Sequence, residues 1–234
     1  MKFVATIAII LTLFSCLICR KYKMSTARYL TRFSQSFPNI SKSTEKSWAS
    51  GKTTYLERHH INCGIGALTG FHYQRVGKIR IKYDYQCIYP KSCNKKCQDK
   101  IKEKDKTRCK THQTPLNNIK STNYLDRHRL KCPVSYVLQS FRFARKPRAS
   151  FHLRQHASTP KGYFHYTCCP AKLTNCKSFN TKATSYGDFS THYLDKQNVS
   201  VPDPKTQAIT GFKLNTSYPK HGYTYTVDYC TVTG

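Results

Sequence analysis

An internal triplication constrains this chain more than any other feature. Tyr55-Leu56-Glu57-Arg58-His59-His60-Ile61-Asn62-Cys63 is followed by Tyr124-Leu125-Asp126-Arg127-His128-Arg129-Leu130-Lys131-Cys132, and then by Tyr193-Leu194-Asp195-Lys196-Gln197-Asn198-Val199-Ser200-Val201. The three tyrosines stand 69 positions apart in both intervals, and each is followed by Leu, an acid and a base. A supersecondary unit present three times restricts the fold to arrays or closed repeats whose copies bury one another's faces.

Each copy continues in the same way. The stretch ending at Cys63 reads as an opening strand, and Ala67 to Tyr73 as a second strand containing Phe71. A third strand alternates Ile79, Ile81, Tyr83, Tyr85 and Cys87 with Arg80, Lys82, Asp84 and Gln86. Apolar residues at every second position describe a strand with one buried and one wet face. The counterparts are Val137 to Phe143 with Phe164 to Cys168, and Ala208 to Leu214 with Tyr223 to Tyr229. With 17 Tyr and 12 Phe against one Trp and two Met, the aromatic content suits pleated surfaces. The expected fold is all-β, built of three related disulfide-bonded units and closed with pseudo-threefold symmetry as a trefoil or prism. A row of three small modules is the alternative.

Aligning the units also organises the cysteines. Cys63 and Cys87 occupy the first and last slots of unit one, Cys132 and Cys168 those of unit two, and Val201 and Tyr229 those of unit three. Both cysteines are missing together from the third unit, as expected of bonded partners. The predicted bridges are Cys63 to Cys87 and Cys132 to Cys168. Cys169 to Cys230 is a candidate bridge between units, and Cys93, Cys97, Cys109 and Cys176 have three possible connectivities. Cys93-x3-Cys97-x11-Cys109-x2-His112 is loosely compatible with tetrahedral zinc, but in an oxidising compartment disulfides are favoured. No cofactor is expected.

The N-terminus supplies the compartment. An uncharged, mostly apolar run from Phe3 to Cys19 lies between Lys2 and Arg20-Lys21, which reads as a signal peptide over residues 1–19. The positive charge that follows keeps an uncleaved membrane anchor as the alternative. Cleavage after Cys19 leaves ten cysteines, an even number suited to a secreted protein. Asn39, Asn198 and Asn215 stand in Asn-x-Ser/Thr sequons that the same route would glycosylate. Residues 20–52 read as a flexible leader, arm or pro-segment. The three-unit domain is expected over 53–231, with units at 53–89, 122–169 and 191–231.

Forty Lys and Arg against 11 Asp and Glu give a formal charge of +29, which favours polyanionic partners. So few acids argue against paired-carboxylate catalysis. The predicted polyanion-binding residues lie in one connector and one insertion. The connector carries Lys91, Lys95, Lys96, Lys100, Lys102, Lys104, Lys106, Arg108 and Lys110, and the insertion carries Arg145, Lys146, Arg148 and Arg154. Lysine-rich contact implies point-charge attraction without base readout, so sulfated or carboxylated glycans are preferred to specific nucleic acid. The triplicated Tyr-Leu-acid-base motif is open to two readings, three equivalent sugar sites of a lectin or strand packing. Cys176-Lys177-Ser178-Phe179-Asn180-Thr181 resembles part of the Cys-Lys-x-x-Asn-Thr-Phe motif of pancreatic-type ribonucleases, with Lys182 in place of Phe. A basic ribonuclease-like enzyme is thus a further alternative, although a non-enzyme is expected.

Leu130-Lys131-Cys132-Pro133, Leu138-Gln139-Ser140-Phe141 and Tyr166-Thr167-Cys168-Cys169 resemble the repeating units of dermatopontin, as do Cys63-Gly64 to Gly70-Phe71 and Ala208 to Phe212. The resemblance implies a secreted, disulfide-bonded matrix protein that binds collagen and proteoglycans, with agglutinating relatives. Matrix proteins or further copies of this chain are the expected partners besides acidic polysaccharide. A membrane is expected only if the N-terminal run is retained.

Overall fold

The computed structural model describes residues 39–48, 52–89, 108–119, 121–146, 160–185, 191–217 and 222–233. Unit one comprises β1 (Asn39–Ser43), β2 (Ser47–Trp48), a 3-10 turn (Thr53–Arg58), β3 (His60–Asn62), β4 (Ala67–Val76) and β5 (Arg80–Ile88). Unit two repeats the order as β6 (Lys110–Gln113), β7 (Asn117–Asn118), a turn (Thr122–Arg127), β8 (Arg129–Lys131), β9 (Tyr136–Arg145) and β10 (Lys161–Pro170). Unit three supplies β11 (Lys172–Asn180), β12 (Thr184–Ser185), a turn (Thr191–Lys196), β13 (Asn198–Ser200), β14 (Gln207–Ser217) and β15 (Gly222–Thr233). The described chain is all-β.

Each unit gives its short strand away. β3 pairs with β9 of unit two, β8 with β14 of unit three, and β13 with β4 of unit one. The sheets are therefore β1-β5-β4-β13, β6-β10-β9-β3 and β11-β15-β14-β8, and the exchange closes on itself. A row of self-contained modules would instead keep each short strand within its own unit.

A bulge receives each incoming strand. The register slips at Thr69, Gln139 and Thr210, between Leu68 and Gly70, Leu138 and Ser140, and Ile209 and Gly211. The freed carbonyls of these bulge residues accept the backbone N–H of Val201, Cys63 and Cys132 at 2.9, 3.1 and 2.8 Å. Close approach excludes a side chain at two of the crossings. A Cβ on Gly70 would lie 2.7 Å from the Val199 carbonyl, and one on Gly211 2.5 Å from that of Leu130.

The core lies where the three units meet. Phe71, Phe141 and Phe212 pack on one another with ring centroids 5.2, 4.8 and 5.0 Å apart, and Leu56, Leu125 and Leu194 are buried beside them. The central cavity that these residues line has about 20 Å³, room for no more than one water.

Two sequence expectations are corrected here. The motif is not an extended strand: its first half is a 3-10 turn, closed by His59 N–H to the Leu56 carbonyl at 3.2 Å, and only three residues extend afterwards. The turn sends Leu56 inward, whereas a strand would have sent alternate residues to both faces. The unit boundaries are also wider than expected. Residues 39–48 are not a free leader but pair with β5, and the ends of both connectors form the edge strands β6, β7, β11 and β12. Polar residues suffice there because an edge strand has one open side and much of its surface in water.

Candidate functional site

The triplicated motif has three structural jobs. In a 3-10 turn, residues three apart eclipse, so the tyrosine and the base fall on one side. Arg58 lies 4.8 Å from the Tyr55 ring, Arg127 4.6 Å from Tyr124, and Lys196 5.2 Å from Tyr193. The acid reaches across to the next unit. Glu57 takes both ends of the Arg145 guanidinium, Asp126 accepts from the Thr216 hydroxyl at 2.6 Å, and Asp195 faces Arg75 at 3.3 Å. Arg75, Arg145 and Thr216 each lie four residues beyond the core phenylalanine, so the same latch is made three times. The acid of every copy thus already has an occupation between units.

The residue after the base is buried polar. His59 meets the Thr44 hydroxyl through Nδ1 at 2.9 Å and the Ser47 hydroxyl through Nε2 at 2.7 Å; His128 meets Thr114 through Nδ1 at 2.7 Å. Gln197 takes the place of histidine in unit three. Its Oε1 accepts from Thr181 at 2.5 Å, and its Nε2 donates to the Thr184 hydroxyl and the Tyr223 carbonyl at 2.6 and 2.7 Å. Thr44, Thr114 and Thr181 each tie this node to the neighbouring strand through both backbone and hydroxyl. Burial lowers His59 and His128 to about 4. The charge of Arg58 adds to the effect at His59, and Asp126 opposes it at His128.

Four disulfides lie among the described residues. Cys63–Cys87 and Cys132–Cys168 are the predicted bridges, with Cα atoms 5.6 Å apart in both. Val201 and Tyr229 fill the corresponding slots of unit three and are buried. The candidate bridge between Cys169 and Cys230 is not made. Cys169 bonds Cys109 and Cys230 bonds Cys176, each joining an edge strand to the aromatic strand of the same unit. In unit one that second slot holds Asn39 opposite Ile88. With Cys109 so bonded, the zinc reading loses one of its four ligands. No group of three or more His, Cys, Asp or Glu able to hold a metal occurs among the described residues. Disulfides in this number belong to an oxidising compartment. No helix among the described residues is long and apolar enough to cross a membrane.

Few of the predicted polyanion-binding residues can be placed. Lys91, Lys95, Lys96, Lys100, Lys102, Lys104, Lys106, Arg148 and Arg154 lie outside the described residues, as do Cys93 and Cys97. Arg108 is half-buried, and Lys110 lies 5.2 Å from the Tyr136 ring. Lys146 is exposed, and Arg145, also exposed, pairs with Glu57 in the inter-unit latch. Of the sequons, Asn39 and Asn198 are exposed, and Asn215 is half-buried and donates to Thr226 at 2.8 Å. The ribonuclease-like stretch is the edge strand β11, in which Cys176 is bridged, Ser178 bonds Asp228, and Asn180 accepts from Thr226.

The outward faces of the three sheets form shallow grooves at equivalent places, of about 210, 500 and 580 Å³. Two contain a carboxylate that is already paired. Asp84 of the first sheet binds Lys82 at 2.8 Å and Ser43, which hold its carboxyl below the usual range although burial opposes them. Asp228 of the third sheet binds Arg129 at 3.0 Å and Ser178. No acid lines the middle groove, which contains Arg142, His60 and His165 instead. These three residues carried no signal in the sequence because they come from three strands of two units. Comparison of the chain with protein-family models, with curated protein sequences and with solved structures finds no match.

Proposed function

We propose that this chain is a secreted, non-catalytic structural or adhesive protein that binds acidic polymers such as sulfated glycans of an extracellular matrix or coat. One observation carries the reading: in a chain with net charge +29, six of the seven acids among the described residues are engaged within the fold. Glu57, Asp84, Asp126, Asp195 and Asp228 answer bases or hydroxyls, and Asp203 caps its own turn through the Lys205 N–H and the Thr206 hydroxyl. Among the described residues, Lys78, Lys146, Lys161 and Lys172 are exposed cations, and with little opposing charge such a surface attracts a polyanion over several ångströms. The disulfides and the dermatopontin resemblance agree with an extracellular setting. On a heparin column the oxidised protein, its N-terminus identified by sequencing, is expected to elute only above roughly 0.5 M salt. Elution at or below about 0.15 M would overturn the proposal.

A further inference from the structure

The middle sheet differs from its two counterparts where they hold their carboxylates. His165 stands opposite Arg142, as Asp84 stands opposite His72, and Thr167 stands opposite Ser140, as Asp228 stands opposite Gly211. Arg142 is flanked on its other side by His60 of the incoming β3, directly opposite in register. Side chains of directly opposed strand residues are neighbours, with Cβ atoms about 5 Å apart. Arg142 and His60 are exposed, and His165 is half-buried. Among the described residues no carboxylate pairs with Arg142. Three nitrogenous side chains therefore form a row across the groove, rimmed by the neutral Asn62, Thr111 and Thr167.

We propose that this face is the sulfate-recognising site of the protein, with Arg142 gripping a sulfate ester of an acidic glycan between His60 and His165. The inference rests on the polyanion-binding reading and places its specific contact. A planar guanidinium matches two oxygens of a tetrahedral anion, which a solvated lysine in a loop does not. The neighbouring amide and hydroxyls supply partners for sugar hydroxyls, and a groove of about 500 Å³ accommodates sugar rings. Burial first, and then the Arg142 charge, lower the pKa of both His60 and His165. An anion between them reverses the second effect, so binding takes up protons and tightens as pH falls. The groups facing these imidazoles are Arg142 from β9, which lies between them, Thr111 and Gln113 from β6, and for His165 also Tyr163 of its own strand, with ring centroids 4.8 Å apart.

The test measures binding of a heparin-derived octasaccharide by titration calorimetry at fixed ionic strength, using the full oxidised protein. R142E is compared with K172E, the same charge change on the exposed edge of the third sheet. R142E is expected to weaken binding at least tenfold and K172E by less than about threefold, since a lost bidentate contact outweighs a distant surface charge. H60Q/H165Q is expected to retain the fold and to lose most of the gain in affinity between pH 7.5 and 6. Circular dichroism checks the folding of each variant. Equal losses in R142E and K172E would overturn the groove and leave general polyanion binding standing. An absence of binding by the parent protein would overturn both.

Discussion

Nδ1 of His128 lies 2.7 Å from the hydroxyl of Thr114 in the packed interior. His59 and Thr44 repeat the pair at 2.9 Å, while unit three makes the same connection with Gln197 and Thr181. A side chain that cannot be protonated does the same work in one unit of three, so the histidine charge is not needed for the fold.

That relationship fixes the acid response. Both histidines titrate at about 4 in the folded protein, below the 6.5 of the free side chain. Between those values the unfolded chain takes up protons that the folded chain refuses. Stability is therefore complete above about pH 6.5 and declines as pH falls towards 4, by on the order of 2 kcal/mol per histidine. Urea denaturation at a series of pH values measures the decline. H59Q/H128Q, which copies Gln197, is expected to flatten it, and an unchanged slope in that variant would remove the histidines as its cause.

The three core phenylalanines predict a single cooperative unit. Phe141 touches both Phe71 and Phe212, so Phe141→Ala opens a cavity shared by all three units. The expected cost is about 3–5 kcal/mol. Hydrogen exchange should show protection falling together in all three sheets, because each contains a strand from another unit. A loss confined to the β9 and β10 sheet would contradict this coupling.

The edge-strand disulfides predict where a further one fits. Asn39 and Ile88 occupy in unit one the places held by Cys109 and Cys169 in unit two and by Cys176 and Cys230 in unit three. N39C/I88C is expected to oxidise spontaneously and to stabilise by up to about 3 kcal/mol. Mass spectrometry after alkylation reads the result. Two alkylated cysteines in the native protein would mean that the first unit does not share the geometry.

The sequence alone determined the repeat, the alignment of its copies and two disulfides. Those features sit in strands buried on one face, where water exclusion writes a period of two into the residues and pairs the cysteine slots at fixed places. Phe71, Phe141 and Phe212 and the shared loss of both cysteines at Val201 and Tyr229 could be read from that pattern. The tertiary structure decided what depended on partners far along the chain. Edge strands such as β6 and β11 show little apolar alternation because they bury little, so Cys109 and Cys176 could be paired only once those strands were in place. Likewise, Glu57 belongs in sequence to a motif open to a sugar-site or a strand-packing reading, and it becomes a latch only because the turn lies against Arg145 of the next unit. His60, Arg142 and His165 lie far apart in sequence, and the exchange of β3 into the second sheet is what makes them a row.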